Sequence, residues 1–410
     1  MQALVPLLWV LVLVLSGKTL LLLLASRQYL YGVRGLLCPR EPARTPEVTA
    51  VIAVRDEAPV LPRLFEALAG LRFPPGKLEF LFVDHGSTDA TPELIRAFGA
   101  SMPIGTVRLL SLPRETGGSG KATPLNAALA AAPREVLVFY DADSLPEATS
   151  LEHLLAGFDE QPPPDICMGA CLPRNQAESW LATAGFLEAV LYNQVFIPAY
   201  CRLFGQVFPS GRNFAVTKQA LDAARGWNPG SVGEDYELGL RLLQVGRGRL
   251  HFDPRALAWE LTPAELPTWF GQRVRWNRAN LDCLVEHLKA LGRPFSASTW
   301  LAALPHLPNH TLDMILLLVA DLAFLCALSI TPPAWTAVVP PLGLYYSVQA
   351  GTHLTALKRQ GTVSPRTMLA ALLMWPLYSH LMLLTQGFAL GVKALRGPMR
   401  SRERTVKREG

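Results

Sequence analysis

The feature that most constrains the fold is a regular alternation of short apolar runs and helical patterns between Val48 and Tyr140. Four runs predict strands, namely VTAVIAV, LEFLFV, VRLL and EVLVFY. A helical pattern follows each of the first three runs, beginning at Pro59, Thr91 and Lys121. Strands that alternate with helices in this way predict an α/β domain with a parallel, doubly wound sheet.

The segments that follow these strands are rich in carboxylates and glycines and include a lysine. They are RDE (55–57), DHGSTD (84–89), RETGGSGK (114–121) and DAD (141–143). Because ligands of such sheets bind outside the carboxyl ends of the strands, we expect these segments to share one binding edge. Two nearby carboxylates suit Mg²⁺ or Mn²⁺, which in turn bridges phosphate oxygens. The pattern therefore indicates a nucleotide diphosphate held with a divalent metal.

Each of these segments also has a simpler interpretation. D-x-D can be a solvated loop, and DHGSTD can be an Asx-turn in which Thr88 or Asp89 caps the next helix. GGSGK resembles a phosphate loop, but Glu115 stands at the first glycine of a Walker A motif and Ala122 follows the lysine. The fingerprint G-x-G-x-x-G is missing after the first strand, which argues against a nicotinamide enzyme. A glycine loop ahead of Lys121 still suits a diphosphate, through helix dipole and point charge.

Both ends of the chain are strongly apolar. Only 17% of the 410 residues are charged, whereas about 25% is usual for globular proteins. Leu4 to Ala25 is long enough to span a bilayer, which takes about 20 residues. A cleaved signal peptide is the rival interpretation, but the segment lacks a basic n-region and a convincing cleavage site. The arginines that follow it place the next part of the chain in the cytoplasm by the positive-inside rule.

Three further apolar segments run over Leu312–Ile330, Ala334–Leu354 and Met368–Val392. The basic tail behind them and the loop at 358–360 both favour the cytoplasmic side. Three full crossings cannot place both there, so either one segment is re-entrant or interfacial, or the tail lies outside. Pro376 makes the last segment the first candidate, because proline breaks or kinks a helix.

The second half of the soluble region carries an acidic and a cationic motif. Glu234 and Asp235 open an amphipathic helix behind a glycine-rich loop, where acidic residues can simply balance the helix dipole. GQRVRWNRAN (271–280) contains three arginines and a tryptophan. Its plain interpretation is a basic helix at the membrane surface, with Arg273 and Arg278 facing lipid. With a net charge of only +5 and no long basic run, the chain does not suggest a nucleic-acid partner.

The ordered set RDE, DHGSTD, GSGK, DAD, GED and QRVRW resembles the motifs of family 2 glycosyltransferases, which include cellulose, chitin and hyaluronan synthases and ceramide glucosyltransferase. The resemblance covers about Val48 to Asn280 and the flanking apolar segments. It implies a GT-A fold, that is, a Rossmann-like and mostly parallel sheet, flanked by transmembrane helices. The implied parts are an anchor (1–26), a cytoplasmic GT-A domain (45–265), interfacial helices (266–311), two or three crossings (312–392) and a basic tail (393–410).

The resemblance also implies roles for single residues. Asp84 would recognise the uracil of a UDP-sugar, and Lys121 would lie near the diphosphate. Asp141 and Asp143 would hold Mg²⁺ or Mn²⁺, with Asp143 as the direct ligand, and Asp235 would act as the catalytic base. The remaining substrate-binding residues would be Glu57, Glu234, Gln272, Arg275 and Trp276. Trp276 offers a flat apolar face to a sugar ring, and Arg275 a planar fork to phosphate oxygens.

The observations and this resemblance together imply a metal-dependent, inverting membrane glycosyltransferase that moves a hexosyl unit from a UDP-sugar to a lipid or a growing glycan. We expect the catalytic domain in the cytoplasm, at the plasma membrane and among membrane lipids. Few helices follow the domain, which favours a lipid-linked or short-glycan acceptor. The alternatives are a processive polysaccharide synthase of the same family and a non-catalytic membrane subunit that binds a nucleotide sugar.

Overall fold

The computed structural model describes most of the chain, and the statements below concern those residues. They are residues 4–35, 46–114, 120–205, 211–231, 233–290, 316–323, 325–326, 335–361 and 365–396. Most of the glycine loop before Lys121, much of the predicted segment Leu312–Ile330 and the basic tail from 397 onward lie outside them.

The chain begins with helix α1 (Leu4–Gly35), which extends beyond the predicted anchor. Its stretch Val5–Gly32 has a mean hydropathy of 2.4 and is the one helix in the described part of the chain that is long and apolar enough to cross a membrane. At 1.5 Å per residue, such a helix exceeds the ~30 Å of a hydrocarbon core. The end of α1 also contacts the sheet domain, as described below.

The soluble domain is built on one eight-stranded sheet of order β3-β2-β1-β4-β7-β6-β8-β5. The strands are β1 (Val48–Val54), β2 (Leu78–His85), β3 (Thr106–Leu112), β4 (Val136–Tyr140), β5 (Leu145–Pro146), β6 (Ile166–Pro173), β7 (Phe214–Thr217) and β8 (Leu250–Glu260). The first four strands are mutually parallel, as the sequence predicts. β7 runs antiparallel between β4 and β6, so the second half of the sheet is mixed.

Helices pack on both faces of the sheet and on one another. They are α2 (Leu61–Ala69), α3 (Thr91–Ser101), α4 (Ala122–Ala131), α5 (Ser150–Ala156), α6 (Trp180–Leu191), α7 (Ile197–Phe204), α8 (Lys218–Ala223), α9 (Glu234–Gln244), α10 (Leu266–Ala290), α11 (Trp335–Gln360) and α12 (Pro365–Arg396). Alternate residues of the central strands point to opposite faces, so Val51 packs towards α4 while Ile52 packs towards α2 and α3. This two-sided core confirms the doubly wound arrangement.

Helix α12 corrects one expectation. It runs without interruption for 32 residues through Pro376, so proline does not break the last apolar segment. Neighbouring side chains bond the carbonyls near it: Ser379 donates to the Trp375 carbonyl at 2.9 Å, and a His380 ring nitrogen lies 2.7 Å from the Pro376 carbonyl. Tyr378 and Met382, on the next turn of α12, pack against residues of α6 and α10. The number of C-terminal crossings stays a prediction.

The apolar helices are joined to the soluble domain by specific hydrogen bonds. The Tyr29 hydroxyl, near the end of α1, donates to the Phe252 carbonyl at 3.0 Å and accepts from the Phe252 N–H at 2.9 Å on β8. Arg359 of α11 donates to the Ser26 hydroxyl at 2.8 Å and to the Gln194 carbonyl at 2.9 Å. These bonds tie α1 and α11 to the sheet and to the short π-helical turn (192–196) that follows α6.

Candidate active site

The loops after β1 and β2 hold each other at the carboxyl edge of the sheet. Asp84 is buried at the end of β2, and its Oδ1 accepts hydrogen bonds from the N–H and the hydroxyl of Ser87, at 3.0 and 2.5 Å. The Asp56 carboxylate accepts from the Thr88 N–H at 2.7 Å, and the Glu57 N–H donates to the Thr91 hydroxyl at 2.9 Å. This bonding fixes Asp84 in a turn at the predicted base-binding position.

The loop after β3 closes against the same turn. Gly86 has φ +69° and lies so close to the backbone of Arg114 that a Cβ there would approach it at 2.5 Å. Only glycine fits without a shift of the chain. The Arg114 guanidinium then pairs with the Asp56 carboxylate at 3.3 Å. Three predicted segments, RDE, DHGSTD and the start of RETGGSGK, therefore meet at one edge.

Lys121 connects the glycine loop to the end of β4. Its ammonium pairs with the Asp141 carboxylate and donates to the Gly211 carbonyl at 2.9 Å. Burial by itself would lower the pKa of this amine, but the negative charges of Asp141 and Asp235 outweigh that effect and raise it. Lys121 is therefore a permanent cation, while its side chain still exposes 24% of its surface. It is a recessed charge that a ligand can reach.

The backbone of Gly211 also packs directly against Asp235, the predicted catalytic base. It has φ +75°, and a methyl group at this position would overlap the Asp235 carboxylate. Asp235 stands in the first turn of α9 and presses on that backbone. Burial and the neighbouring Glu234 carboxylate raise its pKa to about 8, against a smaller opposing effect of Lys121. A role in balancing the dipole of α9 does not explain why the Asp235 carboxylate packs on Gly211 beside Glu234 and Lys121.

Arg275 of the QRVRW motif acts electrostatically on the same carboxylates. Arg275 lies on α10, where burial lowers the pKa of its guanidinium and the charges of Glu234 and Asp141 act against that effect. Burial raises the pKa of Glu234, opposed by Lys121. Gln272 lies one turn earlier on α10 and is partly exposed. The structure thus brings Lys121, Asp141, Glu234, Asp235 and Arg275 into mutual electrostatic range, whereas contacts of Gln272 and of the Glu57 carboxylate with substrate stay predictions.

Arg212 is a further site residue that sequence reasoning missed. Its guanidinium pairs with Glu260 at the end of β8, at 2.9 Å. Burial would lower its pKa, but Glu260, Asp141 and Asp143 are among the negative groups that raise it. Arg212 therefore adds a fixed positive charge beside both aspartates of the D-x-D. In the sequence SGRN, the glycine before Arg212 could have indicated a tight turn at a site. The ion pair with Glu260 could not be predicted, because Glu260 is 48 residues further along the chain.

Trp276 is held in a way the sequence did not suggest. The guanidinium of Arg273 lies 4.5 Å from the ring centroid of Trp276 and 5.7 Å from that of Trp269. The same guanidinium donates to Glu188 of α6 at 2.5 Å. The expectation that Arg273 and Arg278 face lipid is wrong, because both residues are buried, with 6% and 4% exposed. Arg273 is an internal clamp between α10 and α6.

The D-x-D carboxylates fit a metal that is bound together with a diphosphate. In the described part of the chain no group of three or more His, Cys, Asp or Glu side chains could hold a metal ion by itself. Asp141 and Asp143 directly follow β4, and Mg²⁺ in nucleotide-handling sites commonly takes one or two carboxylates, phosphate oxygens and water. Two hard carboxylate donors beside two permanent cations match that chemistry and suit Mn²⁺ equally.

Comparison with known proteins is in agreement with this arrangement. The family model described as "Glycosyltransferase like family 2" matches residues 46–279, more than half of the chain. The probable glycosyltransferase YdaM of Bacillus subtilis is 26% identical over 243 residues, which are 59% of this chain and 57% of that protein. A beta-monoglucosyldiacylglycerol synthase of Nostoc is 25% identical over 197 residues, 48% of this chain and 41% of that enzyme. The matches span less than two thirds of either relative.

The fold also has a close structural counterpart. The mannosyltransferase PcManGT of Pyrobaculum calidifontis, solved in complex with GDP-mannose and Mn²⁺, superposes with a TM-score of 0.58 at 22% identity. The superposition covers 90% of this chain and 98% of that one. This likeness confirms the GT-A fold predicted from the motifs. Together with the family match over the whole sheet domain, it establishes that the chain belongs to glycosyltransferase-like family 2.

Proposed function

We propose that this protein is an inverting glycosyltransferase that moves a hexosyl unit from a UDP-sugar to a lipid or growing glycan acceptor at a membrane. The observation that carries the proposal is the junction at Gly211. There the Lys121 ammonium bonds the Gly211 carbonyl and the Asp141 carboxylate, while Asp235 packs on the same glycine. Three groups therefore meet at Gly211: the Lys121 cation for a diphosphate, Asp141 of the D-x-D and the Asp235 carboxylate, which is suited to act as base.

The donor would lie across the carboxyl edge of the first four strands. Asp84 would accept the N3–H of uracil, since one of its oxygens is already fixed by Ser87. Lys121, Arg212 and Arg275 would surround the diphosphate, where positive charge stabilises the leaving group as its negative charge grows. Asp143 and Asp141 would hold Mg²⁺ or Mn²⁺, and the bound ion would add further charge compensation at the phosphate oxygens.

Asp235 would take the proton of the acceptor hydroxyl. As the acceptor oxygen attacks the anomeric carbon, its O–H bond breaks and the proton moves to the Asp235 carboxylate. The bond from the anomeric carbon to the phosphate oxygen breaks at the same time, and UDP leaves with the electron pair. A single displacement of this kind inverts the anomeric configuration. General-base assistance contributes about 10²–10⁴ in rate.

Two features support a membrane setting, namely the apolar helix α1 and the bonds that join it to the domain. The apolar stretch Val5–Gly32 supports a membrane-embedded α1, and the arginines after it favour a cytoplasmic domain at the plasma membrane. Tyr29 ties the end of α1 to the β8 backbone. The active site would then face the cytosol close to the bilayer surface, within reach of an acceptor that stays in the membrane.

The test is a transfer assay with purified protein in detergent. The protein is incubated with radiolabelled UDP-sugars and Mn²⁺, together with membrane lipids or oligosaccharides as acceptors. GDP-mannose, which is bound in the PcManGT structure, is included as a competing donor. We expect transfer from one UDP-sugar and a loss of about 10²–10⁴ in rate for Asp235→Asn. Asp222→Asn, at an exposed ion pair on α8, is the matched control and should transfer at the wild-type rate.

The outcomes separate the alternatives. A long polymer made without release would identify a processive synthase of the same family. Binding of UDP without transfer to any acceptor would favour a non-catalytic nucleotide-sugar-binding subunit. An Asp235→Asn protein that transfers sugar as fast as wild type would remove Asp235 from the role of base.

A further inference from the structure

A buried cluster of side chains from three helices adjoins Trp276 of the QRVRW motif. This support cluster consists of Glu188 on α6, Arg273 on α10 and Tyr378 on α12. Arg273 and Tyr378 are almost fully buried, with 6% and 1% of their surface exposed. Burying a charge in a protein costs free energy unless the charge is paired and hydrogen-bonded. The proposed donor site uses none of these three residues, so their burial serves another purpose.

A single carboxylate oxygen joins the three helices. Glu188 Oε2 accepts hydrogen bonds from the Arg273 guanidinium at 2.5 Å and from the Tyr378 hydroxyl at 2.6 Å. The same guanidinium donates to the Tyr378 oxygen at 3.0 Å, and the Trp269 Nε1–H donates to it at 3.3 Å. Arg273 is 85 residues from Glu188 and 105 residues from Tyr378 along the chain. The position of the guanidinium is therefore set by α6 and α12, and not by α10 alone.

The fixed guanidinium lies on the ring of Trp276. Arg273 and Trp276 are spaced i, i+3 and are therefore neighbours on the surface of α10. The guanidinium carbon lies over the indole ring, 4.5 Å from its centroid, which is within the ~6 Å of a cation–π contact. Trp276 itself stays partly exposed. The indole thus has one part held by a buried cation and another part that a ligand can reach.

The support cluster is better suited to orienting a side chain than to stabilising the fold. A buried ion pair contributes little net stability compared with apolar residues of the same volume, which could join α6 to α10 equally well. A partly exposed side chain would otherwise sample several rotamers. A ring on which a ligand stacks binds more tightly when it is already held in the bound orientation, because less freedom is lost on binding. The cation–π contact with Trp276 is the feature that an apolar replacement would lack.

Tyr378 connects a distant part of the chain to this arrangement. It lies on α12, whereas the match to the glycosyltransferase family ends at residue 279. A second bond holds α12 to α10 close to the motif, since Asn277 donates to the Thr385 hydroxyl at 3.1 Å. The side chain of Trp276 is therefore supported by the C-terminal apolar helix as well as by the sheet domain.

We propose that Glu188, Arg273 and Tyr378 are positioning residues that fix Trp276 in the orientation in which it binds the acceptor. The inference rests on the proposed transfer reaction and deepens it on the acceptor side. The three residues act through the Trp276 ring and not on the reacting atoms. Acceptor affinity then depends on α12, whereas binding of UDP and metal does not.

The test is a double-mutant cycle measured on acceptor kinetics. Arg273→Lys keeps a cation beside Glu188 but removes the planar guanidinium that lies over Trp276. The change is made in wild type and in Trp276→Ala, and each protein is assayed in a sugar-free detergent at saturating donor, with dioctanoylglycerol and octyl β-glucoside as acceptors. We expect Arg273→Lys alone to raise the acceptor KM about tenfold with kcat unchanged. In the Trp276→Ala background it should add almost nothing, because effects that pass through one side chain are not additive.

Two further variants separate positioning from a loss of stability. Arg278→Lys makes the same change at another buried arginine of α10, which is 4% exposed, and it should leave the acceptor KM at the wild-type value. Tyr378→Phe removes one hydroxyl and keeps the ring, and it should raise the acceptor KM in wild type but not in Trp276→Ala. Calorimetry should give the wild-type affinity for UDP with Mn²⁺ in all three single variants. If Arg273→Lys melts at a lower temperature than wild type, Tyr378→Phe decides the question by the same cycle.

Any of three results would overturn the inference. The first is an acceptor KM that is unchanged in both Arg273→Lys and Tyr378→Phe. The second is a rise in KM that persists in full in the Trp276→Ala background, and the third is an equal rise in Arg278→Lys. In each of these cases transfer from the nucleotide sugar would still stand. Failure of the wild-type protein to bind UDP, or to transfer from any UDP-sugar, would instead refute the proposed function.

Discussion

The placement of Asp235 predicts a protein that becomes more stable when its base is removed. Burial and the adjacent Glu234 raise the pKa of Asp235 to about 8. The ionised Asp235 carboxylate therefore lowers the free energy of unfolding at neutral and alkaline pH. Asp235→Asn keeps the size and shape of the side chain but removes the charge. We therefore expect this variant to lose transfer activity and to unfold less readily than wild type.

The sign and size of the effect follow from proton linkage. The unfolded carboxyl has a pKa of about 3.9, so between about pH 4 and about pH 8 the folded state holds the proton more tightly and the free energy of unfolding falls as pH rises. The full pKa difference corresponds to about 6 kcal/mol. Because Asp235 is partly exposed, solvent screens its charge, and we expect a gain on the order of 2 kcal/mol. The gain should reach its full value above about pH 8 and vanish towards about pH 4.

The assay is thermal unfolding in detergent, followed by tryptophan fluorescence at several pH values. Wild type, Asp235→Asn and the control Asp222→Asn are compared at each pH, so that titration of other groups cancels. A gain of a few degrees for Asp235→Asn at about pH 8, shrinking towards acid, would agree with the linkage argument. A variant that melts below wild type at about pH 8, or a gain that is independent of pH, would refute it.

Three further predictions concern the residues around this carboxylate. Arg212→Lys keeps the positive charge but removes the planar guanidinium that pairs with Glu260 and could bind phosphate oxygens. The KM for the donor should therefore rise about tenfold in steady-state kinetics. An unchanged KM would place Arg212 outside the donor site. Gly211→Ala forces a methyl group into the Asp235 carboxylate at φ +75°, and kcat should fall at least tenfold, whereas wild-type kcat would mean that the junction has room to move. Arg273→Gln leaves the partly buried Glu188 carboxylate without its cation. The free energy of unfolding in urea should fall by about 3–5 kcal/mol. A decrease below about 1 kcal/mol would show that this ion pair contributes no more than a surface pair.

The first half of the domain could be predicted because its signals are local. VTAVIAV coincides with β1, and the helix expected from Thr91 begins there. Buried parallel strands read as continuous apolar runs, and the loops between them carry their own turn residues. The positions of Asp84, Asp141 and Asp143 at strand ends then follow from the sheet topology alone.

The second half could not be predicted in the same way because its partners are distant. β7 has four residues and pairs with β4 and β6 from other parts of the chain. Arg212 finds Glu260 on β8, and Arg273 finds Glu188 at a separation of 85 residues. An arginine in a basic helix looks the same in sequence whether it faces lipid or an internal carboxylate. Only the packing of α6 and α12 against α10 decides which of the two applies.

The continuous helix through Pro376 also could not be predicted from the sequence, because it depends on contacts with distant residues. Pro376 was a sensible place to expect a broken helix, since proline removes one hydrogen bond and crowds the preceding turn. Packing of Tyr378 and Met382 against residues of α6 and α10 supports the continuous helix. These contacts come from residues whose proximity the sequence does not reveal.

The central claim is that residues from β2, β4, α9 and α10 gather around one nucleotide diphosphate and its metal. The most direct measurement is a cryo-electron microscopy structure of the protein with UDP and Mn²⁺ in detergent, paired with calorimetry of UDP binding to wild type and Asp143→Ala. We predict uracil against Asp84, Mn²⁺ in direct contact with Asp143 and the diphosphate beside Lys121 and Arg275, with metal-dependent affinity lost in the variant. UDP bound away from Asp84, or full Mn²⁺-dependent affinity in Asp143→Ala, would contradict it.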